Sequence, residues 1–230
     1  MSLSARARLL LGFLFANITI VLVAAFVLLN RPESPPLIQG VLLPDARELE
    51  AFQLLDHNNQ PFRNENLQGH WTLVSYGFTT CPDICPATLS QLGVVARELE
   101  QQGEQPLRVL FYTVDHRRDT VSQLAAYLPF FHPDFIGLTY RDDSNNGHLA
   151  FEKSLGIMAQ LVPASGPDID AVPGPGSNEY SVSHGVTLFL INPQGQLQAI
   201  FEPDESPPDR HGFDPQRVLR DYLAIRKYLG

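Results

Sequence analysis

Methionine and cysteine are nearly missing from this chain. Its 230 residues contain two of each, and one methionine is the initiator. A soft-metal carrier built on thioether clusters is excluded, and all thiol chemistry is confined to Cys81 and Cys85. Positive charge is also scarce once the N-terminus is passed. Removing Arg6, Arg8 and Arg31 from the 16 basic residues leaves 13 against 25 acidic ones, a formal charge of −12 for residues 32–230. That balance excludes a surface built for nucleic acid or anionic lipid. No internal repeat is present. From Leu9 to Leu29 charge is absent altogether, and only Asn17 and Thr19 are clearly polar.

The uncharged run of 21 residues would span ~31 Å as a helix, about the hydrocarbon thickness of a bilayer. A cleaved signal peptide would show a shorter apolar core followed by a small-x-small site. Here Ala24-Ala25-Phe26-Val27 lies inside the run, so an uncleaved anchor over residues 9–29 is expected. Arg6, Arg8 and the terminal amine lie on one side of it, against Arg31 and Glu33 on the other. The positive-inside tendency then places residues 1–8 in the cytoplasm and the remainder on the periplasmic side of the inner membrane. Arg31-Pro32-Glu33-Ser34-Pro35-Pro36 reads as a proline-stiffened spacer, giving a linker over 30–45 and one domain over 46–230.

Within that domain the cysteines fall in Gly77-Phe78-Thr79-Thr80-Cys81-Pro82-Asp83-Ile84-Cys85-Pro86. Trp71 to Tyr76 before it is a run of strand type, and Leu89, Leu92, Val95, Ala96 and Leu99 after it share one helix face. The pair therefore sits on a strand-to-helix turn, with the helix beginning at Pro82 or Pro86. Free N–H groups and the dipole of a helix N-terminus favour a thiolate there. On a helical path the two Cα atoms would lie ~6 Å apart, within disulfide range. The pair can be a dithiol, a disulfide or half of a metal site. A purely stabilising disulfide is the weakest of these, because closing so short a loop removes little chain entropy.

Phe52 to Leu55 and Pro61-Phe62 flank a turn and predict a hairpin; Leu107 to Val114 predicts a buried strand, and Thr120 to Gln123 a capped helix start. A helix is expected around Leu149 to Leu155 and a strand over Met158 to Val162. Ala164 to Glu179 reads as a long surface loop of the functional or mobile kind. A hairpin is expected from Val186–Ile191 and Leu197–Phe201, and Asp214-Pro215 caps a last helix. The β-α-β-α alternation implies an α/β fold with a parallel sheet covered by helices.

Two thiolates alone make a thin metal site, which directs attention to the seven histidines. His57, His70, His132, His148 and His211 lie in turn, loop or polar surroundings and read as solvated. His116 follows a strand end. His184 stands where the long loop runs into a buried strand and can face the cysteine turn if the strands are neighbours. By position alone a satisfied structural histidine is the better reading, ahead of a ligand.

The cysteine stretch, Val114-Asp115 to Arg118-Asp119-Thr120, Phe131 to Thr139 and Tyr180 to His184 together resemble the Sco/SenC family, over about Ala51 to Phe201. The resemblance implies a thioredoxin-like fold behind a membrane anchor. It also implies copper handling, as Cu(I) or Cu(II), during assembly of the copper A centre of cytochrome c oxidase. By motif, Cys81 and Cys85 match the cysteine ligands and His184 the histidine ligand. Ser183 departs from the acid often found before that histidine, and His116 from a common proline. The implied partners are the copper A subunit of the oxidase, other copper carriers and thiol–disulfide proteins. The competing expectation is a thiol–disulfide reductase acting through Cys81 and Cys85. Three residues rather than two separate the cysteines, which weakens the generic oxidoreductase motif.

Overall fold

The computed structural model describes residues 5–29, 34–141, 147–163, 180–203 and 212–230. The expected loop at 164–179 and His211 lie outside the described residues. The chain forms two compact units, Met1–Pro35 and Pro36–Gly230. In the first, helix α1 (Ala5–Leu29) contains a stretch, Leu11–Leu29, long and apolar enough to cross a membrane. The two polar side chains of this stretch, Asn17 and Thr19, each turn a donor back to the helix backbone. Asn17 Nδ2 donates to the Phe13 carbonyl at 2.8 Å, and Thr19 Oγ1 to the Phe15 carbonyl at 2.9 Å.

The second unit is a thioredoxin-like α/β fold around an eight-stranded mixed sheet. Its strands are β1 (Gly40–Arg47), β2 (Gln53–Asp56), β3 (Pro61–Arg63), β4 (Thr72–Gly77), β5 (Arg108–Thr113), β6 (Ile136–Thr139), β9 (Leu188–Ile191) and β10 (Leu197–Phe201). They lie in the order β1-β10-β9-β4-β5-β6-β2-β3. Only β4, β5 and β6 run parallel; the other pairings are antiparallel. Strands β7 (Ala159–Pro163) and β8 (Tyr180–His184) pair separately, with Ala159 opposite His184.

Alternation along the central strands sorts side chains to two layers. Val109 and Phe111 of β5, with Leu73 of β4, face helices α2 (Ile84–Gln101), α3 (Val121–Tyr127) and α5 (Pro215–Leu229). Leu110 and Tyr112, with Val74 and Tyr76, face the layer of Phe52, Phe62 and helix α4 (Gly147–Leu155). The expected stripe Leu89, Leu92, Val95, Ala96 and Leu99 is the buried face of α2. Thr120 Oγ1 accepts from the Gln123 amide at 3.3 Å and Asp214 Oδ1 from the Gln216 amide at 2.9 Å, so the caps of α3 and α5 form as expected.

Two local expectations change. Helix α2 begins at Ile84, after Asp83, so Pro86 is its third residue, where a missing N–H is still harmless. Part of the expected linker 30–45 is strand β1, an edge strand whose register shifts between Leu42 and Arg47. An edge strand tolerates Pro44 because one row of its amides has no ladder partner.

Candidate functional site

The parallel β4 delivers the cysteine turn at its C-terminal end. The antiparallel β9 beside it, with Val74 opposite Phe189, brings the preceding residues back to the same end. His184, which ends β8, therefore arrives beside the cysteines. One ligand atom each from Cys81, Cys85 and His184 lies within 4.8 Å of the others, a group that could hold a metal ion. Cys85 Sγ is 3.6 Å from His184 Nε2.

The imidazole is held by its other nitrogen. Nδ1 lies 2.7 Å from the Gly185 carbonyl oxygen, which can only accept, so Nδ1 carries the proton and Nε2 keeps its lone pair toward the sulfur. Tyr76 and Phe78 pack edge-on against the ring at centroid distances of 5.7 and 5.6 Å. Ser183 is exposed; no carboxylate among the described residues orients His184, and the backbone carbonyl does so instead.

Both cysteines are free, with Cys81 9% and Cys85 4% exposed. Burial pushes the Cys85 thiol up, and Cys81 adds to the rise. This corrects the expectation of a thiol favoured as thiolate by the helix N-terminus: removal from water outweighs the dipole. Without a metal the Cys85 sulfur keeps its proton at neutral pH. Its seat exists because position 77 has no side chain. A Cβ on Gly77 would stand 2.5 Å from Cys85 Sγ and 3.4 Å from Phe111 Cε2. A cavity of about 10 Å³ borders Cys85, Thr88, Tyr76 and His184. That is the size of a single ion or water.

Asp119 fixes the turn. Fully buried, it accepts from the Thr79 amide at 2.8 Å, the Thr79 hydroxyl at 2.6 Å and the Thr113 hydroxyl at 2.6 Å. Burial nonetheless raises its carboxyl pKa. Nearby, Asp115 accepts from Tyr180 Oη at 2.7 Å and from Arg118 Nε. The Arg118 guanidinium stacks over Tyr180 at 4.2 Å and over Phe78 at 5.8 Å, bracing the aromatic wall of His184. Tyr127, at the end of α3, has a buried hydroxyl without a hydrogen-bond partner among the described residues. Its phenol is pushed up by burial first, then by Cys85 and Cys81.

The other histidines divide. His116 and His148 sandwich Tyr140, at 4.1 and 3.7 Å between ring centroids, and neither joins the cysteine group. His57 is half-buried and its Nδ1 accepts from the Gly137 amide at 2.8 Å; His70 is exposed. The expectation for His132 is reversed, because it is 5% exposed and packed on Phe135. With Glu100 and Asp134 it forms a second group of metal-ligating residues. His132 Nδ1 accepts from the Asp134 amide at 3.3 Å, so its proton sits on Nε2, 3.4 Å from Glu100 Oε1. That arrangement is a satisfied turn cap and hydrogen bond, with no lone pair left for an ion.

The residues that shape this cluster and were missed by sequence reasoning are Gly77, Asp119 and the Gly185 carbonyl. Only Gly77 and Asp119, inside the recognised motifs, carried any signal in the chain.

The family model described as SCO1/SenC matches residues 42–211. A protein of Stutzerimonas stutzeri named for copper binding is 38% identical over 159 residues, 69% of this chain and 71% of the relative. The mitochondrial SCO2 homologue of Danio rerio is 37% identical over 145 residues, 63% of this chain but only 47% of the relative, so the match spans about half its length. Among solved structures, Arabidopsis thaliana ScoI with copper bound superposes with a TM-score of 0.62 at 26% identity, over 78% of this chain and 99% of that one. Yeast Sco1 with copper bound gives 0.60 at 27% identity, over 79% and 89%. With its model matched across most of the thioredoxin-like unit, the chain belongs to the SCO1/SenC family.

Proposed function

We propose that this protein is a membrane-anchored copper metallochaperone that holds copper through Cys81, Cys85 and His184 and passes it on during assembly of the copper A centre of cytochrome c oxidase. The observation that carries the reading is the convergence of two thiols and an imidazole lone pair within 4.8 Å. Soft sulfur donors favour Cu(I), and the set falls one short of the four protein ligands of a structural zinc site. Relatives solved with copper bound support the same cargo. Loading with Cu(I) would displace thiol protons and form S–Cu bonds without moving an electron. Oxidation of the pair would remove two electrons and two protons, form the S–S bond and leave no thiolate to bind. In this reading α1 is the anchor, with Arg6 and Arg8 on the cytoplasmic side and Pro36–Gly230 exported to the periplasmic side.

The test is an anaerobic Cu(I) titration of the full chain in detergent, with thiols counted before and after. One copper per chain is expected, with both thiols protected from alkylation. Cys81→Ser or Cys85→Ser should weaken binding by more than the roughly 100-fold that loss of an outer hydrogen bond costs. His184→Ala should weaken Cu(I) less, since two thiolates still hold it, and Cu(II) more. Equal loss of Cu(I) in all three variants would sink the ligand ranking. Because both cysteines are free and side by side, thiol–disulfide reduction of an oxidase subunit is the second reading. Multiple turnovers with a disulfide substrate, without copper, would favour it.

A further inference from the structure

The carbonyl that takes the His184 Nδ1 proton lies outside the sheet. Between β8 and β9 the chain crosses Gly185, Val186 and Thr187 without strand pairing, and a glycine at the head of that corner leaves its backbone free to turn unless a neighbour fixes it. Tyr76 is such a neighbour. It lies on the central strand β4, is 7% exposed, and its ring stacks on Phe189 at 5.9 Å and meets the His184 imidazole edge-on at 5.7 Å. Its hydroxyl reaches the corner itself: a Cβ on Gly185 would stand 2.7 Å from Tyr76 Oη and 4.0 Å from Cζ. Gly185 has no positive φ, so its lack of a side chain answers to this close approach and not to backbone strain. One rigid side chain thus touches both the imidazole and the residue whose carbonyl orients it.

We propose that Tyr76 is a positioning residue for His184: its ring backs the imidazole and its hydroxyl seats the Gly185 backbone, so that the Gly185 carbonyl keeps the Nδ1 proton and Nε2 stays turned toward Cys85 Sγ. The next residue along β4 is Gly77, against which Cys85 Sγ sits, so one strand sets both the sulfur and the imidazole that lie 3.6 Å apart. The consequence for metal binding rests on the copper reading above. The contacts themselves are those of the metal-free protein.

Tyr76→Phe removes the hydroxyl and keeps the ring. In the full chain in detergent, reduced and metal-free at about pH 8, where imidazole is neutral, nitrogen NMR of the histidine rings reads the tautomer directly, with His184→Ala assigning the resonance. His184 should carry its proton on Nδ1 in the wild type and show a mixture of tautomers in Tyr76→Phe. Cu(II) affinity of that variant should fall about tenfold, the lower end of what disturbing the partner of a ligating histidine costs, with Cu(I) less affected. Gly185→Ala should shift the same resonance, because its methyl meets the hydroxyl at 2.7 Å. The two substitutions should compensate when combined: without the hydroxyl the nearest ring atom stands at 4.0 Å, an ordinary contact, and the methyl fills the space from the other side and restores the Nδ1 tautomer. A hydroxyl with a merely structural role would lower the unfolding midpoint and leave the tautomer alone. An unaltered His184 tautomer in Tyr76→Phe, or an effect of Gly185→Ala that persists without the hydroxyl, overturns the proposal. If the wild type binds no copper, the copper reading falls, and the tautomer measurement still decides the role of Tyr76.

Discussion

A single methyl group at position 77 probes the packing on which the site depends. In Gly77→Ala the new Cβ would stand 2.5 Å from Cys85 Sγ and 3.4 Å from Cys85 Cβ and Phe111 Cε2. Comfortable carbon contacts lie at about 3.5–4.0 Å, so roughly 1 Å must be found. The backbone cannot easily supply it, because Gly77 pairs with Thr113 in the centre of the sheet and its carbonyl accepts from the Val114 amide at 2.9 Å. Phe111 is fully buried, which leaves the sulfur to move. Overpacking of this kind costs about 1–3 kcal/mol, and removing a strand glycine returns roughly 0.5–1 kcal/mol, for a net loss of about 1–2 kcal/mol. Trp71, the one tryptophan, lies 6.1 Å from the Tyr222 ring and reports denaturant unfolding of the full chain in detergent. Cu(I) affinity should fall at least about tenfold, since the displaced sulfur no longer lies 3.6 Å from His184 Nε2. In a Cys85→Ala background the methyl should be tolerated and only the gain from removing glycine should remain, so the coupling in the double-mutant cycle equals the overpacking term of about 1–3 kcal/mol. An unchanged unfolding midpoint, or a loss that persists after the sulfur is removed, would refute the claim that Cys85 Sγ occupies this slot.

Three further outcomes are expected. Because burial pushes the Cys85 thiol up, Cu(I) loading displaces its proton near neutral pH, and affinity should rise about tenfold per pH unit for each proton released; a flat profile between about pH 6 and 8 contradicts this. Asp119→Ala strands the Thr79 amide and the buried Thr113 hydroxyl and should cost about 2–4 kcal/mol in unfolding. The folded state holds the Asp119 proton to higher pH than the unfolded chain, so its contribution is fully present below about pH 3.9 and is lost as pH rises through the folded value. Asp119→Asn should flatten that part of the stability profile, and an unaltered slope would show that the carboxyl does not titrate there. A reporter active only after export, fused behind Pro36, should be active; an inactive fusion reverses the orientation assigned to α1.

Locally encoded features were legible in the sequence. The α2 stripe follows a helical period, β5 is a continuous apolar run, and the β9–β10 hairpin is marked by Asn192-Pro193-Gln194-Gly195. Features set by distant contacts were not. Strand β1 contains Pro44 and Asp45 and becomes a strand only by pairing with β10, more than a hundred residues away. His132 looks solvated beside Pro133 and Asp134, yet Phe135 and the end of α2 enclose it. For the proposed ligands, the spacing of Cys81 and Cys85 is visible directly. His184 was set apart by its place at the entry to a buried strand, but its reading as a ligand came from the family motif, because its approach depends on the β4–β9 pairing. The thiol's ionisation was misjudged for the same reason: the helix N-terminus is a local feature, whereas burial is imposed by Gly77, Phe111 and the sheet.

That burial bears directly on handing over a metal. Ionising a thiol that is 4% exposed is unfavourable, so the proton that copper must displace from Cys85 subtracts from binding. An exposed dithiol of lower pKa would bind the ion more tightly and also react faster with oxidants. Burial therefore moderates affinity and slows disulfide formation together. His184 offsets part of the desolvation without adding charge, because its Nε2 lone pair is already set by the Gly185 carbonyl. On the proposed chaperone reading, an acceptor with more exposed thiolates, already free of protons, would need no such displacement and could take the ion while a proton returns to Cys85. If the site passes copper on as proposed, release would be driven by reprotonation of the buried Cys85 sulfur and would need no large movement of the fold.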